Sequence, residues 1–205
     1  MRLAALVPVK AFGAAKQRLA GVLTDAQRDR LARTMAARVL DAVAAHHPHV
    51  VCDDDLVATW ASARGTAVIR DTHRGLNPAI DLAIEELAER GFDHVLVVHS
   101  DLPRPIALTR LAATARPGSI VIVPDRHLDG TNVLLMPTRA RVAAAYGPGS
   151  FRRHLAAALD TGCPVCVIRE VELGLDIDQP RDLDHPLVRS VVAEILGDSG
   201  TVHRQ

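Results

Sequence analysis

Asp101 closes the run Val95-Leu96-Val97-Val98-His99-Ser100-Asp101, in which four aliphatic residues give way to polar ones and then to Pro103 and Pro105. An apolar run that short, without polar alternation, suits a strand buried on both faces of a parallel sheet. The prolines stop strand and helix alike from continuing. In open α/β sheets ligands bind in the crevice outside the carboxyl ends of the strands. A carboxylate there is a hard oxygen donor of the kind Mg²⁺ prefers in the company of phosphates. The plainer alternative is a solubilising aspartate in a turn.

Three further stretches carry residue types suited to anions. Residues 9–19 form a small-residue loop with three cations, Lys10, Lys16 and Arg18. Small residues let backbone N–H groups approach a ligand, and the cations can neutralise a polyphosphate. The spacing is neither a Walker loop nor a GxGxxG turn, so a solvated basic loop stays open as a reading. In Gly75-Leu76-Asn77-Pro78, Asn77 can cap a helix with Pro78 at its first position, or present its amide to a base edge or ribose. In Gly147-Pro148-Gly149-Ser150-Phe151, Ser150 is either a plain N-cap or part of a hydroxyl-and-amide cradle for a phosphate or carboxylate. Two other groupings promise less. Cys163-Pro-Val-Cys166 has redox spacing but leads into a strand-like run, which favours buried, structural thiols. His46, His47 and His49 fall at the end of a predicted helix stopped by Pro48, where imidazoles cap the dipole.

The elements that must position these residues alternate. Strands are predicted over 3–7 (closed by Pro8), 50–52, 67–69, 95–98, 120–123, 133–136 and 165–169. Between them fall helices: one opened by the capping box Thr24–Gln27, with Leu31, Met35, Val39 and Val43 on one face, and others over 54–64, 78–90, 107–115, 151–159 and 187–196. Such alternation implies an α/β fold with a Rossmann-like, mostly parallel sheet. Residues 1–205 read as a single domain, and residues 197–205 as a frayed tail.

Composition bounds the function. The apolar content is 48%, yet the aromatics are three Phe, one Tyr and one Trp, so the core must be built from Ala, Val and Leu. Lys plus Arg (24) equals Asp plus Glu (24). No global field therefore draws the chain to nucleic acid or an acidic membrane, and an anionic ligand must be captured locally. No signal-like or membrane-spanning run is present, and three cysteines without a secretory signal point to a cytoplasmic protein, monomeric or homodimeric.

Taken together, LVPVK…AKQRL, GLNPA, HSDLP, DGTN, YGPGSF..H and LDIDQPRDL occur in the order seen in the 2-phospho-L-lactate guanylyltransferase family, and the chain resembles that family from Leu6 to Leu183. That family makes the phosphate-bearing precursor of the deazaflavin coenzyme F-420. The resemblance implies a fold of the nucleotide-diphospho-sugar transferase type, with GTP and Mg²⁺ as partners. It further implies that Pro8, Lys10, Lys16 and Arg18 hold the nucleotide and its phosphates, and that Asn77 meets the nucleoside. Asp101 and Asp176 would coordinate Mg²⁺, with Asp178 a weaker candidate, and Asp101, Asp176 and Lys16 would carry catalysis. Thr131, Gly147 and Ser150 would hold a phosphorylated three-carbon acid. Two residues depart from the pattern: Gln179 stands where Thr is common, and His99 where a small or apolar residue is expected.

The implied chemistry needs no general base, which agrees with the lack of a Ser-His-Asp or Cys-His constellation. A phosphate monoester has a second pKa near ~6 and is already an ionised nucleophile at neutral pH. It would attack the α-phosphorus of GTP and release pyrophosphate, given charge neutralisation and alignment. Phosphoenolpyruvate is the expected acceptor, with 2-phospho-L-lactate next, because the Ala- and Arg-rich composition suggests a GC-rich bacterial genome and the resemblance implies phosphoenolpyruvate for family members from such bacteria. The rivals are another nucleotidyltransferase of the same fold (CTP as donor, or a molybdopterin or sugar phosphate as acceptor), a non-catalytic nucleotide-sensing domain, and a glycosyltransferase using Asp176-Ile177-Asp178.

Overall fold

In the computed structural model, which describes residues 1–71, 75–114 and 116–197, the alternating pattern builds a seven-stranded sheet of order β3-β2-β1-β4-β6-β5-β7. Its strands are β1 Leu3–Pro8, β2 His49–Cys52, β3 Ala67–Arg70, β4 His94–Val98, β5 Ile120–Pro124, β6 Thr131–Pro137 and β7 Val165–Val167. The chain runs outward from β1 through β2 to β3, then returns to lay β4 on the other side of β1. The order reverses between β1 and β4, and their carboxyl ends flank the crevice that this reversal opens.

Alternation along the central strands explains the burial. Leu3, Ala5 and Val7 of β1 and Leu96 and Val98 of β4 point to one face, and Ala4, Leu6, Val95 and Val97 to the other. Helices α1 (Asp25–Ala42), α2 (Asp55–Ala63) and α4 (Leu108–Ala113) pack on the first face, α3 (Leu76–Glu89) and α5 (Ser150–Asp160) on the second. The apolar stripe of α1 continues into a third cluster, where Leu31 and Met35 meet Val188, Val192 and Ile195 of α6 (Pro186–Leu196). The capping box of α1 forms as predicted: Gln27 N–H donates to Thr24 Oγ1 at 3.3 Å, and Thr24 N–H to Gln27 Oε1 at 2.9 Å. Among the described residues no helix is long and apolar enough to cross a membrane.

The sheet is mostly parallel, as expected, with β6 the exception, and the structure departs from the sequence reading in three other places. Strand β6 runs antiparallel to both β4 and β5, because the six-residue turn 125–130 joins it to β5 as a hairpin and leaves no room for a crossover. The start of β6 therefore reaches the crevice that the ends of β1 and β4 form. Strand β7 stops at Val167 and pairs only with β5, so it is an exposed edge. Its Cys166 is exposed and Cys163 half-buried, which corrects the expectation of buried thiols; both are free. Helix α1 ends at Ala42 and a 3-10 turn over Ala44–His46 follows, so His46 and His47 do sit at a helical end, whereas His49 lies buried in β2 with Nδ1 2.7 Å from the His47 carbonyl oxygen. Apart from Gly197, the expected tail 197–205 lies outside the described residues, as does Ala115 at the end of the helix expected over 107–115.

Candidate active site

The loop after β1 is pinned by its one aromatic residue. Phe12 is buried, stacks edge-on against Trp60 with ring centroids 5.0 Å apart, and has the Arg33 guanidinium 4.2 Å over its ring. From that anchor the chain reaches Lys16, which takes the left-handed conformation (φ +57°), uncommon outside glycine and asparagine. The bend carries the ammonium into the crevice, where Lys16 Nζ donates to Asp101 Oδ2 at 2.7 Å. Arg18, more exposed, pairs with Asp178, and Lys10 stands exposed at the mouth.

Asp101 follows β4 by three residues and is fixed by the buried Leu102 behind it. Its Oδ1 is buried and has no partner. The segment bearing Asp176 is stitched alongside: Ile177 N–H donates to the Asp101 carbonyl at 3.4 Å, and the Ile177 side chain is buried in the third cluster. Asp182 locks the far end, accepting from the N–H groups of Asp178 and Gln179 at 2.8 and 2.6 Å and from Arg126 at 2.5 Å. Burial alone would raise the pKa of Asp101, but Lys16 and then His99 outweigh it and hold the carboxyl below its ordinary range. At Asp176 the Lys16 charge acts too but does not prevail. Burial first and the Asp101 charge second push its pKa up to about 7. Two carboxylates thus share one ammonium, leaving a deficit of positive charge and an orphaned oxygen. That donor set fits a divalent cation held by one or two carboxylates and completed by phosphate oxygens.

The opposite wall is built from the start of β6 and the strap before α5. Asp125 shapes the hairpin turn by accepting from the N–H groups of His127, Asp129 and Gly130. A Cβ at Gly130 would come within 2.9 Å of Asp125 Oδ2, so a larger residue there would push that carboxylate out of place. Thr131, next in line, is buried, and its Oγ1 lies 2.9 Å from His154 Nδ1. The Ala145 N–H donates to His154 Nε2 at 3.0 Å. A backbone amide can only donate, so Nε2 is the acceptor and Nδ1 carries the ring proton. Nδ1–H then donates to Thr131 Oγ1, which leaves the hydroxyl proton of Thr131 free to point at a ligand. Burial, with Arg153 and His99 adding to it, lowers the His154 pKa to about 4, so the ring is neutral.

Two expectations for this wall need correction. Ser150 is not the N-cap of α5: Gly149 takes that position at φ +72°, and Ser150 is the first helical residue, buried against the cavity. Nor are the amides of Gly149, Ser150 and Phe151 free for an anion. The Gly149 N–H donates to Asp129 Oδ2, that of Phe151 to the Asp129 carbonyl, and that of Ser150 to the Gly147 carbonyl. What Ser150 can offer a ligand is its hydroxyl.

Asn77 also sits elsewhere than expected. Gly75 is the N-cap of α3, and the Asn77 amide clasps the backbone of Tyr146, accepting from its N–H at 2.7 Å and donating to its carbonyl at 3.2 Å. With donor and acceptor both engaged, Asn77 holds the strap in place and does not line the cavity; its neighbour Leu76 does. The other expected site residues converge. Pro8, Lys10, Lys16 and Arg18 line one side of a single cavity of about 760 Å³, Asp101, Asp176 and Asp178 its floor, and Thr131, Gly147 and Ser150 the far side. Sequence reasoning missed His154, whose only signal was the histidine of the YGPGSF..H motif, and Asn132, whose Nδ2 donates to the Leu173 carbonyl at 2.9 Å and ties β6 to the segment leading to Asp176.

Known proteins share this chain's sequence pattern and fold. The family described as guanylyl transferase CofC like matches residues 3–190. A phosphoenolpyruvate guanylyltransferase of Sphaerobacter thermophilus is 34% identical over 96% of this chain and 98% of its own. A 2-phospho-L-lactate guanylyltransferase of Methanothermobacter thermautotrophicus is 30% identical over 89% of this chain and 83% of its own. Among solved structures, one from Desulfovibrio desulfuricans G20, classed with the nucleotide-diphospho-sugar transferases, superposes with a TM-score of 0.74 at 16% identity, covering 95% of this chain and 98% of that one. The sheet is thus of the nucleotide-diphospho-sugar transferase type.

Proposed function

The chain belongs to the CofC-like guanylyl transferase family, and from that premise we propose that it transfers GMP from GTP to the phosphate of phosphoenolpyruvate, releasing pyrophosphate, in the biosynthesis of coenzyme F-420. The observation that carries this reading is the convergence of Lys16, Asp101 and Asp176 on the floor of one cavity whose far wall offers the hydroxyls of Thr131 and Ser150.

The residues divide the work. Lys16, with Lys10 and Arg18 at the mouth, neutralises the triphosphate and steadies the leaving pyrophosphate. Asp101 and Asp176 would hold Mg²⁺, which supplies charge neutralisation at the reacting phosphate and a template for attacking and leaving oxygens. Thr131, its proton direction fixed by His154, and Ser150 donate to the acid, while the Gly147 turn gives it room. The acid's own phosphate is the nucleophile, so the site needs alignment rather than a base. A 760 Å³ cavity accommodates a nucleotide and a three-carbon acid together.

Phosphoenolpyruvate is favoured over 2-phospho-L-lactate because the relative named for it shares more of this sequence. Its planar carbon skeleton also suits a rigid wall. The test is pyrophosphate release by the purified protein with each of GTP, CTP, ATP and UTP against phosphoenolpyruvate, 2-phospho-L-lactate and 3-phospho-D-glycerate. Release with GTP and phosphoenolpyruvate is expected to exceed every other pair; release that ignores the acid would overturn the reading.

A further inference from the structure

Arg126 sits in the turn between β5 and β6, and it grips one segment of the chain twice. Its backbone N–H donates to the Gly174 carbonyl at 2.8 Å, and its Nη2 donates to Asp182 Oδ1 at 2.5 Å. The other oxygen of that carboxylate, Oδ2, accepts from the N–H groups of Asp178 at 2.8 Å and Gln179 at 2.6 Å. The first hold lies two residues before Asp176, and the second acts two residues after it. Asp176 is thus the midpoint of a span, 174–178, that one residue of a neighbouring turn secures at both ends.

The local chemistry makes both holds possible. Gly174 lets two backbones close on each other: a Cβ there would stand 3.2 Å from the Glu170 carbonyl oxygen and 3.5 Å from the Arg126 nitrogen. Asp182 is buried, and a buried carboxylate needs the guanidinium and the two amides that meet it. Leu175 and Ile177, on either side of Asp176, are buried too, while Asp176 itself lines the cavity. Capping the short turn Pro180–Asp184 requires only the contacts from Asp182 to the amides before it. The Arg126 contact adds nothing to that cap, and it comes from a different wall.

We propose, resting on the reading of Asp176 as a Mg²⁺ ligand, that Arg126 and Asp182 form a positioning staple that presets the Asp176 carboxylate for the cation. Asp176 lies on an irregular span, outside helix and strand, which would otherwise have to be ordered as the cation binds. Order supplied in advance by the fold removes that cost. Partners that hold a ligand in place commonly matter to the metal by roughly 10–100-fold in affinity. Arg126 acts through Asp176 and does not itself touch the reacting atoms.

The test is Mn²⁺ binding by the unliganded protein, followed by electron paramagnetic resonance, in wild type, Arg126→Met, Asp182→Asn and the double variant. Each single variant should bind Mn²⁺ roughly 10–100-fold more weakly. The double variant should bind no more weakly than the worse single one, because the two residues act as a unit. Removing a cation beside a cation site should by charge alone tighten binding, so weaker binding in Arg126→Met is the signature of lost positioning. In the transfer assay the Mg²⁺ concentration giving half the maximal rate should rise by a similar factor. Saturating Mg²⁺ should restore most of kcat and leave KM for GTP at its wild-type value. Unchanged or tighter Mn²⁺ binding in Arg126→Met would overturn the proposal, even in a variant that melts lower, and so would strictly additive losses in the double variant. A KM for GTP raised at every Mg²⁺ concentration would also overturn it, by making Arg126 a phosphate-binding group. If Asp182→Asn does not fold, Arg126→Met alone decides. A wild type that binds Mn²⁺ but transfers no guanylyl group sinks the broader reading and leaves the Mn²⁺ titration to judge the staple. A wild type that binds no Mn²⁺ overturns the staple.

Discussion

Lys16 and Asp101 are joined through one oxygen only: Nζ lies 2.7 Å from Oδ2, while Oδ1 of the same carboxylate is buried without a partner. The contact brings the loop after β1 onto the end of β4 across the point where strand order reverses. It leaves the floor of the cavity with one carboxylate half-neutralised and the next, Asp176, within reach of the Lys16 charge but not paired with it. Most of what the site should do follows from that imbalance.

Asp101→Asn and Asp176→Asn should each lower kcat by roughly 10²–10⁴-fold, since metal-assisted neutralisation is worth several kcal/mol in the transition state. Circular dichroism should show both variants folded. Asp178→Asn should lose far less, because Asp178 engages the more exposed Arg18. Near-normal kcat at low Mg²⁺ in either of the first two variants would remove that residue as a ligand.

Stability should move the opposite way from activity at Asp176. Its folded-state pKa, about 7, lies above the ordinary 3.8, so the folded protein holds a proton that the unfolded chain has released. Stability therefore falls as pH rises from about 4 towards 7 and stays reduced above that window. Asp176→Asn removes the charge and should gain about 1–2 kcal/mol at pH 8 without Mg²⁺, a few degrees in Tm. The gain should vanish below pH 4, and Mg²⁺ should raise the Tm of wild type but not of the variant. Thermal melts at three pH values with and without Mg²⁺ give the answer.

Lys16→Ala and Ser150→Ala should divide the substrates. The first should raise KM for GTP about tenfold or more and leave that for the acid nearly alone, and the second should do the reverse. Kinetics with one substrate varied and the other saturating decide it. Equal effects on both substrates from both variants would dissolve the proposed halves of the cavity.

His154 is a positioning residue. Its folded-state pKa, lowered to about 4, means that the unfolded chain takes up the proton first as pH falls, so its contribution to stability is full above about 6.5 and lost towards 4. Replacing it by Phe keeps the bulk, removes the Nδ1–H that orients Thr131, and should flatten part of that acid-side loss. The acid's KM should rise severalfold with KM for GTP unchanged, and an unchanged acid KM would show that Thr131 needs no orienting partner.

How much of this was legible in the sequence depended on the range of the interaction. The uninterrupted aliphatic run ending at Asp101 and the capping box at Thr24 and Gln27 are local patterns, and both form as read. The hairpin that turns β6 antiparallel follows from a connection too short for a crossover, and it alone brings Thr131 to the crevice. Asn77 was misread because its partner, the Tyr146 backbone, is 69 residues away, and a capping rule sees only neighbours. The amides around Ser150 looked free for the same reason: Asp129, which takes two of them, sits across the hairpin turn. Cys166 looked buried because an edge strand and a central strand share one apolar pattern, and only the final sheet order distinguishes them.

The most direct measurement follows the label in GTP. Purified enzyme is incubated with phosphoenolpyruvate, Mg²⁺ and GTP labelled at either the α- or the γ-phosphorus. Attack by the acid's phosphate on the α-phosphorus predicts that the α label enters a new guanylylated acid and the γ label leaves in pyrophosphate, in equal amounts and only when the acid is present. Recovery of the γ label as inorganic phosphate, or no movement of the α label into an acid adduct, would contradict the account.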